Sequence, residues 1–362
     1  MRRGRRLALL ALLGVLCSAC GAAPPGIAAP PSRTATPAST PSSPSSSATP
    51  PPAAPALSPA IPLPGQAAAL AALPPGVPFT GQLLISDRGN DRLLMVDASG
   101  AVTWTFPAPG ARLSAPFGAP DDAFFTPDGR DIIANAEGSQ TVTAIDRSTG
   151  TILWQVGHNG VRGRGTGYFS EPDDAVPDPG GDIWVADIRN CRLVELGPGG
   201  QWLGVRGNET CVHNPPTSFA EPNGAFPTPD GSMVVTEIWG SRVTWLNPDG
   251  SVRWSVRTPA AYPSDALAYP DGSVLLTDYS NPGAVYRISP TGQVLWSYHP
   301  TGAAGLDHPS IAIPLASNRV AICDDWGSRI EVVDPNTGQV VWTFTGQGAS
   351  RLSFPDGLDY LP

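Results

Sequence analysis

The sequence predicts an all-β protein folded as a six-bladed β-propeller. A proline, then a small or acidic residue, then a strand-like segment recurs six times at spacings of 52, 50, 41, 46 and 46 residues. A period of about 40 to 50 residues with strand composition is typical of propeller blades. The six starts are Pro120-Asp121-Asp122, Pro172-Asp173-Asp174, Pro222-Asn223-Gly224, Pro263-Ser264-Asp265, Pro309-Ser310-Ile311 and Pro355-Asp356-Gly357.

One segment shows a whole blade, whose four strands we name a to d from the ring centre outward. An inner strand starts at Pro222, and strand-like runs at 232–236, 242–246 and 252–256 follow, separated by turn residues. Residues 81–106 supply strands b, c and d alone, and residues 354–362 supply a single inner strand. We therefore predict that the C-terminal strand completes the N-terminal blade, because this closes the ring and protects its edges.

The first twenty residues have the pattern of an export signal. Four arginines within residues 2–6 precede an apolar run, Leu7 to Leu16, that is too short to span a bilayer. Small residues then precede Cys20, and this pattern resembles a bacterial lipoprotein signal, which implies cleavage before Cys20 and its lipidation. Cys17 stands where that motif usually has leucine, so an ordinary secretory signal is the alternative. Either signal exports the protein.

Residues 21–78 are predicted to form a disordered linker that holds the domain away from the membrane. They consist mostly of Ala, Pro, Ser and Thr and carry one charged residue, Arg33. Such a segment cannot bury enough apolar surface to offset the entropy of ordering it. The remaining residues, 79–362, form the predicted propeller domain.

The charge balance of the domain argues against two classes of function. All 31 acidic residues and 17 of the 22 basic residues lie after residue 78, which gives the domain a charge of about −14. Nucleic-acid binding requires a basic face, so no nucleic-acid partner is expected. The chain contains no lysine, which argues against Schiff-base catalysis.

Two groups of segments resemble known propeller repeats. Residues 183–192 (IWVADIRNCR) and 355–359 (PDGLD) resemble NHL repeats. Residues 146–154 (DRSTGTILW) and 333–342 (VDPNTGQVVW) resemble quinoprotein, or PQQ-type, repeats. Both resemblances concern the scaffold. Quinone-binding dehydrogenases of the second family have eight blades and a pair of adjacent cysteines, which this sequence lacks, so no PQQ cofactor is expected.

Two other repeated patterns are interpreted as structural, because a feature present in most blades serves every blade rather than one ligand. The first is Gly-x-x-x-Trp leading into strand d, as in Gly150 and Trp154. The second is an acid five residues before an arginine, across the loop from strand b to strand c. Its members are Asp87/Arg92, Asp187/Arg192, Glu237/Arg242 and Asp324/Arg329.

The histidines point to one face of the propeller. The starts of the inner strands, the b–c loops and the connections between blades share one face, which by analogy is the ligand face. All four histidines lie in the connections between blades, and histidine is the commonest metal ligand and general base near neutral pH. We take His308, His158 and His213 as candidate catalytic residues. An ordinary surface role is the alternative for each of them.

The inner-strand acids are candidate ligand-binding residues on the same face. The set comprises Asp121, Asp122, Asp173, Asp174, Asn223, Asp265 and Asp356. Oxygen ligands arriving from several strands suit Ca²⁺ or another divalent metal, for which we select Asp122, Asp174, Asn223 and Asp265. The alternative is that these side chains cap their own turns, as Asp and Asn commonly do.

Four residues break the symmetry of this face, and two cysteines lie beside them. Arg162 and Arg164, among glycines in a long connection, are candidate anion contacts. Trp239 and Trp326, at equivalent positions in the b–c loops of blades four and six, are candidates for stacking on a sugar or aromatic ligand. Because an exported protein is in an oxidising compartment, we predict a disulfide between Cys191 and Cys211.

Taken together, the sequence favours a membrane-tethered, extracytoplasmic binding module. We expect a monomer at the cell membrane that binds a small molecule, a glycan or a protein at the propeller face. Two enzymatic alternatives stay open. One resembles the propeller lactonases and lyases, in which a channel metal polarises the substrate. The other resembles the arylsulfotransferases and would use His308 as nucleophile, with Arg162 or Arg164 in support.

Overall fold

The computed structural model describes residues 73, 74 and 76–362 and confirms the all-β fold. Six antiparallel four-stranded sheets contain 24 strands. The helical segments among these residues are single 3₁₀ turns, and none of them is long and apolar enough to cross a bilayer. The predicted signal, the lipidation site Cys20 and nearly all of the predicted linker lie outside the described residues.

The first blade is built from both ends of the described chain, as the sequence predicts. Strand β24 (Pro355–Leu361) is its inner strand and pairs antiparallel with β1 (Gln82–Asp87). Strands β2 (Arg92–Asp97) and β3 (Val102–Phe106) complete the sheet. The C-terminal strand therefore closes the ring.

The other five blades follow in chain order, each with its strands in the order a to d. Blades two and three comprise β4 Ala123–Phe125, β5 Asp131–Ala136, β6 Thr141–Asp146, β7 Thr151–Gly157, β8 Pro172–Pro177, β9 Ile183–Asp187, β10 Arg192–Leu196 and β11 Trp202–Arg206. Blades four to six comprise β12 Pro222–Pro227, β13 Met233–Glu237, β14 Arg242–Leu246, β15 Val252–Arg257, β16 Pro263–Ala268, β17 Val274–Asp278, β18 Ala284–Ile288, β19 Val294–Tyr298, β20 Pro309–Leu315, β21 Arg319–Asp324, β22 Arg329–Asp334 and β23 Gln339–Phe344.

Apolar side chains of the inner strands close the centre of the ring on one side. Phe124 and Phe226 come from blades two and four, which are not neighbours, yet their ring centroids are 5.8 Å apart. Val176, Leu267 and Ile313 belong to the same buried cluster. Because this plug fills the channel, the polar residues at the starts of the inner strands form a bowl that opens to one face.

The tryptophans of strand d join neighbouring blades, which explains the Gly-x-x-x-Trp pattern. The indole Nε1 of Trp104 donates to the carbonyl of Arg147 at 2.9 Å, and that of Trp154 donates to the carbonyl of Pro198 at 2.9 Å. In both cases the acceptor lies in the turn between strands c and d of the next blade. Trp254 departs from this rule, since its Nε1 has no acceptor among the described residues.

The repeated acid–arginine pairs anchor the connections between blades. Asp187 accepts a hydrogen bond from Arg192 Nε at 2.8 Å and another from the backbone N–H of Ser170 at 2.7 Å. Arg192 also donates to the carbonyls of Arg164 and Tyr168. Blade four differs, because Glu237 instead contacts His213, with Oε2 2.6 Å from Nδ1. These contacts bind the blade to its own connection, as a structural role requires.

The structure joins Cys191 and Cys211 in a disulfide, which closes a 20-residue separation in blade three. Closing a loop of this length restricts the unfolded chain by about 3 kcal/mol. We expect the C191A/C211A double variant to lose about that much free energy of unfolding, measured by denaturant or thermal melts. A reducing agent should lower the melting temperature of the parent protein and leave that of the variant unchanged. An equal response of both proteins would contradict a stabilising disulfide.

Candidate functional site

The polar end of the channel is a small cavity of about 60 Å³, which we call the channel bowl. A volume of this size holds an ion and a few water molecules. Its lining comes from the inner strands, the b–c loops and one connection. These residues are Arg88, Asp121, Asp122, Glu137, Asp173, Ile188, Asn223, Tyr262, Ser264, Tyr279, Ser310 and Asp356.

A sharp backbone turn places the inner-strand side chains in the channel bowl. In five blades the residue just before the strand's first proline has a positive φ, between 45° and 58°. Non-glycine residues rarely adopt this conformation, and such strain is concentrated at functional sites. The five residues are Ala119, Glu171, Glu221, His308 and Phe354.

Arg88 neutralises the upper part of the channel bowl. Its guanidinium lies 2.7 Å from Asp121, 2.5 Å from Asp356 and 3.1 Å from Glu137. The negative charge of Asp121, followed by that of the other two carboxylates, raises the pKa of Arg88. The neighbouring Asn223 donates its amide to Asp173. The arginine therefore holds three of the acids on this level.

A deeper group of three carboxylates has no such partner, and we call it the lower triad. Asp122, Asp174 and Asp265 come from blades two, three and five, and a ligand oxygen from each lies within 4.8 Å of the others. All three residues are at most 4% exposed. When these acids are ionised, no hydrogen-bond donor of the described residues reaches Asp122 Oδ1, either oxygen of Asp174, or Asp265 Oδ1. Asp174 and Asp265 lie close enough to hydrogen-bond to each other when one of them is protonated.

Burial dominates the electrostatics of the acids in and around the channel bowl. Desolvation, with the charge of Asp265 next, raises the pKa of Asp174 well above its usual range, and the same causes act on Asp122. Burial raises the pKa of Asp265 to about 7. It also raises the pKa of Asp325, beside Tyr279, to about 8. Charge is therefore costly at this depth unless a cation is present.

The donor set of the lower triad fits a hard cation. Ca²⁺ and Mg²⁺ bind carboxylate, carbonyl and water oxygens, whereas structural zinc sites are rich in cysteine and histidine. A second group, Asp121, Asp122 and Asp173, shares Asp122 with the lower triad, and all three of its members line the channel bowl. An ion held by these carboxylates would be reachable from the open face.

Gly224 provides a test of this site. A Cβ added at Gly224 would lie 3.0 Å from Asp265 Oδ1 and 3.1 Å from Asp174 Oδ2, and the backbone there is not left-handed. We therefore expect Gly224→Ala to fold but to bind Ca²⁺ at least about tenfold more weakly, by calorimetry on chelated protein, because a methyl group would crowd both ligands. Gly138→Ala is the control, since a Cβ there meets open space. Equal calcium affinity in the two variants would contradict this assignment.

The structure does not bring the candidate catalytic histidines together. His308 hydrogen-bonds to Asp307 at 2.7 Å and packs against Trp326 and Tyr279, outside the lining of the channel bowl. His213 contacts Glu237, and His158 stacks on Tyr168 with centroids 4.0 Å apart. Neither acidic group includes a histidine. The catalytic roles proposed for these residues stay predictions.

The other candidate ligand contacts occupy the rim. Arg162 is paired with Glu171 at 2.6 Å, and Arg164 lies 3.4 Å from Glu209. Both arginines border a surface pocket of about 330 Å³ in blade three. Trp239 and Trp326 are both exposed, but only Trp326 has ring contacts among the described residues.

Comparison with known proteins identifies the family. Residues 54–198 and 138–353 match the family model PQQ_2, described as outer membrane protein assembly factor BamB. The chain belongs to the PQQ_2 family. The match confirms the resemblance to quinoprotein-type repeats, while the NHL resemblance stays a prediction. No curated protein sequence matches the chain.

Solved structures similar to this PQQ_2 protein show the same fold at low identity. A protein of unknown function from Bacteroides caccae is 17% identical, with 77% of this chain and 98% of that chain covered and a TM-score of 0.55. A streptogramin B lyase is 18% identical, with coverage of 76% and 83% and a TM-score of 0.51. A nidogen/laminin complex chain is 15% identical, with coverage of 76% and 97% and a TM-score of 0.50.

Sequence reasoning missed the residues that the b–c loops and one connection of this PQQ_2 propeller add to the site. Arg88, Glu137 and Tyr279 line the channel bowl together with Tyr262, and Asp325 binds the Tyr279 hydroxyl at 2.6 Å. Arg88, Tyr279 and Asp325 directly follow the last residue of strand b in their blades. Aligning the blades at that position would have found them.

Proposed function

We propose that this protein is an exported, membrane-tethered propeller that binds a divalent cation in the channel bowl and acts as a ligand- or protein-binding module. The observation that carries the proposal is the lower triad, Asp122, Asp174 and Asp265. Its carboxylates are buried and converge. When they are ionised, Asp122 Oδ1, both oxygens of Asp174 and Asp265 Oδ1 have no hydrogen-bond donor among the described residues.

Buried charges are retained when they are paired or coordinate a metal. Arg88 is already bound to Asp121, Asp356 and Glu137, so it does not neutralise the lower triad. A divalent cation would supply the missing charge and draw on oxygens from three blades. Ca²⁺ fits best, because it accepts six to eight oxygen ligands in flexible geometry.

A binding role is favoured over catalysis by the position of the histidines and by the family. His308, the best candidate nucleophile or base, is engaged by Asp307 and lies outside the channel bowl lining. The description of the PQQ_2 family names an assembly factor, which is a protein-binding function. Metal-dependent hydrolysis or elimination and sulfuryl transfer through His308 remain the alternatives, and the streptogramin B lyase resembles this chain in fold alone.

Metal content and chelation test the cation. The mature protein is purified without added metal, its metal content is measured by mass spectrometry, and its thermal melt is recorded before and after chelation. We expect about one retained divalent ion and a destabilisation of roughly 3 to 4 kcal/mol on chelation, as for an ion present at several hundred times its dissociation constant. Absence of metal together with an unchanged melt, even with millimolar Ca²⁺ added, would refute cation binding.

The membrane tether is inferred from the sequence that precedes the propeller, and it requires a separate test. Cys20 follows the apolar run and small residues of a lipoprotein-type signal. We expect labelled palmitate to be incorporated into the parent protein, which should partition into detergent, and Cys20→Ser should abolish both properties. Cys17→Ser is the matched control. Release of the unlabelled parent protein into the medium would indicate an ordinary secretory signal instead.

A further inference from the structure

Two exposed aromatic rings meet at a right angle beside the channel bowl. Trp326 is 56% exposed and Phe354 is 46% exposed. Their ring centroids are 5.9 Å apart and their planes are inclined by 79°. We call these two rings, with His308 and Tyr279 behind them, the aromatic corner. Contiguous exposed rings, unlike single scattered ones, are typical of binding surfaces.

The rings of the aromatic corner are held in place without a ligand. The indole Nε1 of Trp326 donates to the Tyr279 hydroxyl at 3.3 Å, and His308 packs against Trp326 with centroids 4.8 Å apart. His308 is fixed in turn by Asp307, 2.7 Å from its Nδ1. A ligand that binds here therefore spends little free energy on ordering side chains.

A buried carboxylate lies directly behind the aromatic corner. Asp325 is 2% exposed and its Oδ2 accepts the Tyr279 hydroxyl at 2.6 Å. No donor among the described residues reaches its Oδ1. Tyr279 also lines the channel bowl, where Arg88 is the sole cation among the lining residues and is already bound to three carboxylates. No free cation among the lining residues therefore opposes a positively charged ligand at the corner.

Trp239 in blade four shows what the aromatic corner adds. It occupies the same position in its b–c loop as Trp326 and is 59% exposed, but no ring of the described residues contacts it. The residue before it is Ile238, where blade six has Asp325. Blade four therefore presents a lone indole, whereas blade six combines an indole, a second ring and a carboxyl group with one oxygen unpartnered among the described residues.

We propose that the aromatic corner binds an organic cation, namely an alkylated ammonium group on a small molecule, over the face of Trp326 and next to Asp325. Aromatic faces attract such groups through their quadrupole, and this is the recurring way in which proteins recognise quaternary ammonium ligands. The negative charge of the domain, about −14, disfavours anionic ligands. The inference extends the proposed binding function by naming a ligand class, but it does not require the channel cation.

Matched ligands test the proposal on the full-length protein. Choline and its uncharged isostere 3,3-dimethylbutan-1-ol are titrated by calorimetry and by tryptophan fluorescence. We expect choline to bind at least about tenfold more tightly than the isostere, because only choline carries a charge that the ring face attracts and that favours the ionised form of Asp325. Equal affinity for the two ligands, or no choline binding at all, would overturn the proposal. So would tighter binding of a neutral methyl glucoside.

Variants locate the site. Trp326→Leu should weaken choline binding at least about tenfold, while Trp239→Leu, the matched control, should leave it unchanged. Asp325→Asn should reduce the preference for choline over the isostere and spare binding of the isostere itself. Equal effects of the two tryptophan variants would overturn the assignment. Binding to phosphatidylcholine vesicles without binding of free choline would likewise overturn it, because the recognised group would then be a membrane surface.

The same titrations separate this inference from the cation proposal. They are repeated on chelated protein and on Asp174→Asn, in parallel with metal analysis. Choline binding that survives chelation and Asp174→Asn supports the aromatic corner, whereas only the metal content and melts of the untreated protein decide the channel cation. A protein that retains its metal but does not bind choline refutes the aromatic corner alone.

Discussion

Asp174→Asn is expected to move the stability of the metal-loaded protein and of the chelated protein in opposite directions. Asp174 is fully buried, and neither of its oxygens meets a donor among the described residues. In the loaded protein the substitution removes one negative ligand, so the cation binds more weakly. In the chelated protein it removes a buried acid that is unfavourable to ionise and adds an amide that can donate to Asp265.

The expected effects are large enough to measure by thermal melts in calcium and in chelator. For the parent protein, chelation should lower the melting temperature by about 10 °C, which corresponds to roughly 3 to 4 kcal/mol in a domain of this size. For Asp174→Asn, the two curves should nearly coincide. The curve in chelator should lie above that of the chelated parent, since removing a buried, unsatisfied acidic group is worth about 1 to 3 kcal/mol.

Asp131→Asn is the control, because Asp131 begins β5 outside both acidic groups. It should leave the gap between the calcium and chelator curves unchanged. A chelated Asp174→Asn protein less stable than the chelated parent would show that the Asp174 carboxylate is satisfied without a metal. The lower triad would then be a structural feature, and the proposed cation site would be wrong.

The fold was predictable because each blade has the same local sequence pattern. An inner strand after proline, turn residues and short apolar strands recur with one period, and each blade buries its own strands. The missing inner strand at one terminus and the extra one at the other follow from counting. Burial and turn chemistry are local properties, so the sequence determines them directly.

The candidate metal set was only partly predictable, because its residues were chosen for their oxygen atoms and not for their position along the inner strand. Asp122, Asp174 and Asp265 all stand two residues after the first proline of their inner strand, and they converge. Asn223 stands one residue after its proline and lies on the level of Asp173, to which it donates its amide. Since residues at the same register form one layer of the ring, counting from the proline would have separated the two levels.

The loop residues that contact the inner-strand acids could not be predicted from register in the same way. Arg88 contacts Asp356, a residue 268 positions away, and its direction depends on the 3₁₀ turn that follows β1. The three candidate histidines, His158, His213 and His308, share a face in the sequence argument, but that face is wide, and each of the three contacts a different local partner. In these loops the direction of each side chain decides which residues come into contact, and no repeat in the sequence encodes that direction.

Stability of the chelated protein is expected to fall as the pH rises from about 5 to 8. Burial raises the pKa of Asp265 to about 7 and that of Asp325 to about 8, whereas in the unfolded chain both titrate near 4. Between these values the folded state holds more protons than the unfolded state, so unfolding becomes easier at higher pH. The stabilisation is complete below pH 4 and is lost through the folded pKa values. Between pH 5 and 8, Asp265 alone accounts for a loss of about 3 kcal/mol.

Denaturant melts in chelator at pH 5, 6, 7 and 8 measure this slope, and added Ca²⁺ provides the contrast. Calcium should remove most of the slope, because a bound cation favours the ionised carboxylates and competes with protons. Asp265→Asn should flatten the slope in chelator, while Asp131→Asn should not. A chelated protein that is more stable at pH 8 than at pH 5 would mean that the buried acids are ionised and satisfied by the protein itself. The channel bowl would then hold no unsatisfied negative charge for a cation to neutralise.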